Sequence, residues 1–249
     1  MRTALTLIAA IVLTARVADA DESNDTHTWV VAGMGVEATE WRVTTHGTER
    51  GIMAALHTAG VMAGNWTSAN GTQLFSIGGG EGGIQVEYLN RFAYGIRFWR
   101  IGPGSLVLRG GLAFDILGTP HGGNFELGPL FDFGYQAVMR SGFLDVGMQT
   151  VIPVIPAVFS RNSSHHTAEW FSSGPHLGAG FGNVYFDGTV ARTMYYGELR
   201  TEVHIDICGG TGVVLCSRLQ NFRYDDSHKP VTLLGLFVGF GEVGPGRKK

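Results

Sequence analysis

Residues 84–98, IQVEYLNRFAYGIRF, alternate between two kinds of side chain and decide the fold class. The even positions are apolar or aromatic except for Asn90, and the odd positions carry the charges of Glu87, Arg91 and Arg97. Successive residues of a β-strand point to opposite faces of a sheet, so one face of this strand is apolar and the other is charged. Because the pattern recurs along most of the chain, the sequence predicts an all-β protein.

The first twenty residues have the three regions of a cleavable secretory signal. Arg2 precedes an apolar run at 4–13, and the small residues of Ala18-Asp19-Ala20 follow. The apolar run is shorter than the roughly 20 residues that a membrane-spanning helix needs, so a signal peptide is preferred to an anchor. We therefore expect residues 1–20 to be removed and the mature chain to begin at Asp21.

Glycine is frequent in this chain and charge is rare. The sequence has 38 glycines in 249 residues and 16% charged residues, against usual shares of roughly 7% and about a quarter. After residue 20 no apolar stretch is long enough to cross a membrane as a helix, and a net charge of −3 does not favour nucleic-acid binding. Glycine scattered within alternating segments favours a strongly curved sheet.

The alternating segments predict an antiparallel up-and-down transmembrane β-barrel of about eight strands within residues 21–241. The predicted strands are 29–37, 83–100, 105–117, 124–138, 143–152, 174–181, 184–196 and 231–241. A hairpin inside 38–82, or one within 199–218, would raise the number to ten. Short turns alternate with long connections, as between the periplasmic and extracellular ends of outer-membrane barrels. The long connections are 38–82, 118–123, 153–172 and 197–230.

A water-soluble β-sandwich would produce the same alternation, because it also has one apolar and one polar face. The membrane barrel is preferred because glycine is abundant and charge is low. Aromatic residues near predicted strand ends, such as Trp99, Tyr195 and Tyr196, also fit an interfacial girdle.

The pattern resembles the small β-barrels of Gram-negative outer membranes, the class that includes the OmpA membrane domain and OmpX. The end of the chain carries the most motif-like part, since Gly235, Val238 and Phe240 resemble the closing-strand signal read by the barrel assembly machinery. Leu233 departs from that signal, and residues 242–249 add a basic tail. The resemblance implies an outer-membrane location, with outer-membrane lipid and the assembly machinery as partners and an extracellular loop partner that the sequence does not identify.

Charged residues on the polar strand faces are expected to point into the lumen. In an eight-stranded barrel side chains largely fill the interior, so an ion-paired plug is preferred to a narrow pore. The predicted lumen-facing charges are Glu87, Arg91, Arg97, Arg109, Asp115, Glu126, Asp132 and Asp145.

Cys208 and Cys216 are the two cysteines of an exported chain, so a disulfide between them is expected. A zinc site that adds His204 is the weaker alternative, because two cysteines are too few and their spacing is not that of a zinc knuckle. No cofactor and no metal are predicted.

Glu202, His204 and Asp206 share one face of an alternating stretch, where an imidazole beside carboxylates is the arrangement of a general base. Ordinary ion pairing is preferred because no nucleophile is identifiable. The sequence therefore predicts a non-enzymatic barrel that acts through its loops at 38–82, 153–172 and 197–230. The alternatives are an outer-membrane enzyme that acts on lipid or peptide, and a narrow diffusion channel.

Overall fold

The computed structural model describes residues 27–43, 47–80, 83–119, 122–139, 142–152, 154–160, 169–181, 184–195, 198–224 and 231–242. The predicted signal peptide and the basic tail beyond residue 242 lie outside this part of the chain. No helix in the described ranges is long and apolar enough to cross a membrane.

Twelve β-strands account for nearly all of the described residues. They are β1 (His27–Val43), β2 (Gly47–Ala63), β3 (Thr67–Gly80), β4 (Gly83–Ile101), β5 (Gly104–Thr119), β6 (Gly122–Met139), β7 (Gly142–Val151), β8 (Ile155–Ser160), β9 (Glu169–Phe181), β10 (Val184–Tyr195), β11 (Glu198–Tyr224) and β12 (Val231–Glu242).

The strands pair antiparallel and form a closed ring. From β1 the sheet runs through β2, β3, β4 and β5 to β6. In the other direction it runs from β1 through β12, β11, β10 and β9 to β7. The pairing of β6 with β7 joins the two halves. We call the end of the ring where β1 begins and β12 ends the lower end, and the opposite end the upper end.

In two places, the number of strands differs from the number of strand positions in the wall. β7 and β8 share a position, because β6 pairs with β7 through residues 130–139 and with β8 through residues 122–127. β11 occupies two positions, since residues 198–209 pair with β10 and residues 212–222 pair with β12. The ring therefore has twelve strand positions within the described residues.

The reversal inside β11 depends on glycine. Gly210 and Gly212 have φ angles of 143° and 76°, in the region that L side chains rarely adopt. The two arms of β11 then run side by side, and the Cα atoms of Cys208 and Cys216 are 4.0 Å apart. The reversal thus produces a hairpin at the lower end, although the sequence of β11 alternates like that of a single strand.

The prediction of about eight strands, or ten, is wrong because both optional hairpins are present. Segment 38–82 contains β2 and β3, and segment 199–218 contains both arms of β11. β2 escapes the periodicity because its two faces have similar side chains. Its inward residues include Ala55 and Ala59, and its outward residues include Ala54. Without contrast between the faces, alternation cannot be seen.

The predicted long connections are mostly strand as well. Two residues separate β3 from β4, β5 from β6 and β10 from β11. β8 and β9 occupy much of segment 153–172, and β11 occupies most of segment 197–230. The described chain therefore has little loop at the upper end, in contrast to the sequence-based expectation.

The outer face of the ring is apolar. Met34 and Val36 of β1 and Leu236, Val238 and Phe240 of β12 each have more than half of their surface exposed. β4 presents a similar row on the same face, made by Phe92, Tyr94, Ile96 and Phe98. A closed sheet pairs its backbone polar groups within itself, and an outward apolar band matches the hydrocarbon of a bilayer.

Candidate functional site

The inward faces of the strands bring charged side chains into the lumen. On β5, Arg109 and Asp115 are buried, whereas Leu108 and Leu112 on the other face are exposed. Charged residues are almost never fully buried unless they are paired. The lumen therefore needs a specific network of partners, and this network is the candidate functional site.

Arg109 is the centre of one group, which we call the Arg109 cluster. Its Nη1 donates to Asp132 Oδ2 at 2.6 Å and its Nη2 donates to Asp145 Oδ2 at 2.5 Å. Its Nε donates to Ser68 Oγ at 2.8 Å. All four side chains are buried, so each guanidinium nitrogen has an acceptor in place of water. The cluster consists of Ser68, Arg109, Asp132, Gln136, Asp145 and His176.

His176 lies between the two carboxylates of the Arg109 cluster. Its Nδ1 is 3.6 Å from Asp132 Oδ1, and its Nε2 is 3.4 Å from Asp145 Oδ1. Gln136 Nε2 donates to Asp145 Oδ2 at 3.1 Å, and Gln136 Oε1 accepts from Ser68 Oγ at 3.0 Å. The network therefore connects β3, β5, β6, β7 and β9 across one side of the lumen.

Arg218 is the centre of a second, more acidic group. Its Nη2 is 3.6 Å from Glu87 Oε1, and both side chains are buried. β4 and β11 are five positions apart in a ring of twelve, so this pair crosses the lumen between nearly opposite walls. The charges of Glu37, Asp115 and Asp206 also act on Arg218. We call these five residues the Arg218 cluster.

The structure pairs Asp206 with a different histidine from the predicted one. His57 Nε2 is 3.6 Å from Asp206 Oδ1, and both side chains are buried. The same Nε2 atom is 3.4 Å from Thr72 Oγ1. Glu202 and His204 lie on β11, but their side chains are outside the described residues. The three predicted catalytic residues therefore remain a sequence prediction.

Aromatic side chains fill part of the lumen near the lower end. The ring centroids of Trp29 and Phe143 are 4.4 Å apart, and those of Phe143 and Tyr185 are 5.9 Å apart. The disulfide that joins Cys208 and Cys216 belongs to the same buried cluster. The two sulfur atoms are bonded to each other, as the sequence predicts. We call Trp29, Phe143 and Tyr185 the aromatic cluster.

Six of the eight charges predicted for the lumen are buried on inward faces, and the other two are not among these buried residues. Arg97 is half-buried and its Nη1 donates to Gly64 O at 2.7 Å, near the turn between β2 and β3. Glu126 lies on β6, but its side chain is outside the described residues. The other six are buried on inward faces, namely Glu87, Arg91, Arg109, Asp115, Asp132 and Asp145.

Several lumen residues were not singled out by the sequence analysis. Glu37 and His176 lie on segments predicted as strands, at positions that alternate in step with their inward-facing neighbours. This alternation is the signal that could have identified them. His57 lies on β2 and Arg218 on the second arm of β11, and both segments were assigned to connections. Their inward direction could not be predicted before those strands were recognised.

No group of three or more His, Cys, Asp or Glu side chains in the described ranges has the arrangement to hold a metal ion. Four acidic residues of the lumen instead lie against Arg109, Arg218, His57 and His176, namely Glu87, Asp132, Asp145 and Asp206. The site is therefore built from ion pairs and hydrogen bonds.

Comparisons with known proteins assign no family to the chain. No protein-family model matches the chain, and no curated protein matches it. Among solved structures, OccK9 of Pseudomonas aeruginosa is 9% identical with a TM-score of 0.40, covering 89% of this chain and 99% of that one. The anion-selective porin of Comamonas acidovorans is 8% identical with a TM-score of 0.39, covering 88% and 99%. The translocator domain of the autotransporter NalP of Neisseria meningitidis is 15% identical with a TM-score of 0.35, covering 96% of each chain.

The prediction of a non-channel barrel that acts through long loops is wrong. Two of the three segments assigned to those loops, 38–82 and 197–230, consist mostly of wall strands, and β8 and β9 occupy much of 153–172. The eight-stranded interior that supported the plug is replaced by a ring of twelve positions. The small-barrel likeness to OmpA and OmpX fails on the same strand number.

The predicted outer-membrane location agrees with the observed architecture. The ring is closed and antiparallel, its strand number is even, its outer face is apolar and its lumen is charged. Antiparallel barrels with this distribution of side chains are the β-structures that span bacterial outer membranes. The chain therefore has the fold of an outer-membrane β-barrel.

Proposed function

We propose that this chain forms a narrow channel for small polar solutes across the outer membrane. The observation that carries the proposal is the lumen, where two buried charged clusters lie inside an apolar exterior. Burying a charge costs free energy even when it is paired, and apolar residues of similar volume often stabilise a fold at least as well. Stability of the barrel alone does not require the buried charged side chains. Charged groups at a constriction do determine which solutes pass.

Strand number supports a narrow channel. Barrel diameter grows roughly linearly with the number of strands, so eight strands give a filled interior and sixteen or more give an open aqueous channel. Twelve positions lie between these limits. The side chains of Arg218 and Glu87 reach across this width and meet inside the lumen.

The same proposal includes the partners that the sequence suggests. The apolar outer face is the surface for outer-membrane lipid. Gly235, Val238 and Phe240 lie on β12, the strand that closes the ring by pairing with β1. This position supports a role for β12 as the segment that the barrel assembly machinery recognises. Export by the predicted signal peptide would bring the two cysteines to an oxidising compartment.

Recordings from planar lipid bilayers test the proposal. Protein is first selected for a heat-dependent shift in gel mobility, which shows that the barrel is closed. We expect such protein to give discrete unitary currents, and the same sample boiled before reconstitution to give none. Folded protein that inserts without any current would contradict the channel.

A further inference from the structure

Two carboxamide side chains interrupt the apolar outer face of the barrel. Gln73 of β3 and Asn90 of β4 lie directly opposite each other in the sheet, and Thr58 of β2 lies opposite Gln73 on its other side. Their neighbours along the strands, such as Leu74 and Leu89, are fully buried, so these three polar side chains point outward. We call Thr58, Gln73 and Asn90 the amide row.

The amide row lies in the middle of the apolar band. Along β4, three apolar or aromatic outward residues lie on each side of Asn90, namely Ile84, Val86, Tyr88, Phe92, Tyr94 and Ile96. Along β3, Gln73 is followed on the same face by Phe75 and Ile77, which are both exposed. At this depth a polar side chain meets hydrocarbon instead of water, and an unpaired acceptor there is costly.

Hydrogen bonds within the barrel satisfy the two carboxamides only in part. Gln73 Nε2 donates to Tyr88 Oη at 2.9 Å, and Asn90 Nδ2 donates to Leu112 O at 3.4 Å. Within the described part of the chain, neither Gln73 Oε1 nor Asn90 Oδ1 accepts a hydrogen bond. The amide row therefore presents two acceptors to whatever covers this face.

The surface beside the amide row is low. In the adjacent row Gly60 of β2 lies opposite Gly71 of β3, and Ala32 of β1 lies opposite Thr58. Small residues at interfaces between membrane-spanning segments let the two surfaces approach closely enough for side chains to bond across them. The same geometry applies to two barrel walls.

A second copy of this chain fits these groups. A twofold axis along the membrane normal places the same residue of two barrels at the same depth, so the amide row of one copy meets the amide row of the other. A carboxamide carries both donors and an acceptor, so it can bond to an identical group. The acyl chains of lipid supply no donor.

We propose that two copies of the barrel associate in the membrane through the outer faces of β2, β3 and β4, with Gln73 and Asn90 hydrogen-bonded across the interface. The exposed rings of Phe75 and Phe92 lie next to the amide row and pack against the partner. This inference rests on the outer-membrane barrel fold and is independent of conduction through the lumen.

Sedimentation in density-matched detergent micelles tests the association. Wild-type protein that shows the heat-dependent gel shift is expected to sediment as a dimer in equilibrium with the monomer. The double variant Gln73→Leu with Asn90→Leu is expected to raise the dissociation constant of the dimer about tenfold, because it removes both carboxamides. Thr150→Val with Ser173→Ala is the matched control, since these outward hydroxyls of β7 and β9 already bond to each other at 2.9 Å.

Cross-linking in outer membranes gives a measurement that does not depend on detergent. The two native cysteines are bonded to each other, so a thiol introduced on the outer face can form a disulfide only with another chain. Asn90→Cys is expected to give disulfide-linked dimers on oxidation. Met148→Cys, on the outer face of β7, is expected to stay monomeric.

The possible outcomes are distinct. Wild-type protein that sediments only as a monomer, with no cross-link in Asn90→Cys, would overturn the association. Equal dissociation constants for the wild type and the double variant, or equal cross-linking of Asn90→Cys and Met148→Cys, would overturn the amide row as its interface. If the double variant gives no heat-modifiable barrel, Asn90→Leu alone is measured, with a rise in the same direction expected.

Discussion

Arg109 and Arg50 show how much the position of an arginine matters in this barrel. Arg109 is buried and donates to two carboxylates and one hydroxyl. Arg50 is exposed, and its Nε is 3.4 Å from Glu40 Oε2. Removing one partner of a buried pair leaves an uncompensated charge, whereas water replaces the partner of an exposed one.

We therefore expect Arg109→Met to lower the free energy of unfolding by about 3–5 kcal/mol, because Asp132 and Asp145 would lose their shared cation. Arg50→Met is the control and is expected to cost less than about 1 kcal/mol. Urea unfolding of each variant in detergent micelles, followed by the heat-dependent gel shift, gives both values. Equal losses in the two variants would contradict the buried network.

Trp29 is expected to narrow the lower end of the lumen. Its ring packs against Phe143 within the aromatic cluster and is buried. We expect Trp29→Ala to raise the unitary conductance, because removing the indole widens the path. Trp66→Ala is the control, since Trp66 is 71% exposed and its loss leaves the lumen unchanged. Equal conductances in wild type and Trp29→Ala would show that this cluster does not limit the current.

At the scale of the element, the hairpin of β11 combines a tight reversal with a disulfide. The closed loop is short, with a sequence separation of eight between the cysteines. Loop-closure entropy predicts a stabilisation of about 2.5 kcal/mol for a loop of this length. Pairing with β10 and β12 holds both arms in the wall without the disulfide.

The double variant Cys208→Ser with Cys216→Ser is therefore expected to fold and conduct, with a free energy of unfolding lower by about 2.5 kcal/mol. Urea unfolding of wild-type protein with and without a reductant provides the same comparison in an unchanged chain. If reduction leaves the unfolding midpoint in place, the disulfide does not contribute to stability.

The elements differ in how well the sequence predicted them. β4 and β5 were predicted nearly to their ends, because aromatic residues on one face contrast with Glu87, Arg91 and Arg109 on the other. β2 and β3 have small side chains on both faces, and β11 reverses within an alternating run. Alternation is visible only where the two faces of a strand carry different kinds of side chain. It therefore reveals neither a strand with similar faces nor a turn made only by backbone geometry.

Part of the candidate site follows from strand alternation. Six of the charges expected in the lumen are buried there, because alternation along a strand is enough to direct them inward. Partners were harder to predict, because Glu87 meets Arg218 across the ring and Asp206 meets His57. Such contacts depend on the strand number and on which strands face each other, and the predicted number was wrong.

At the scale of the whole molecule, twelve wall positions make a ring that long side chains still cross. Thr72 of β3 faces the lumen beside His57, with Thr72 Oγ1 3.4 Å from His57 Nε2. The next residue, Gln73, lies on the outer face and donates from Nε2 to Tyr88 Oη at 2.9 Å. These two adjacent residues of one strand thus lie on opposite sides of the barrel wall. The chain has no free cysteine among its described residues, so one introduced thiol can be labelled specifically.

Conduction through the lumen is tested most directly by block of the single-channel current with a charged thiol reagent in Thr72→Cys and Gln73→Cys. We expect a lasting drop in current for Thr72→Cys, because the attached group lies in the ion path. We expect no change for Gln73→Cys, whose thiol lies on the outer face. A current that persists after complete labelling of Thr72→Cys would contradict conduction through this lumen.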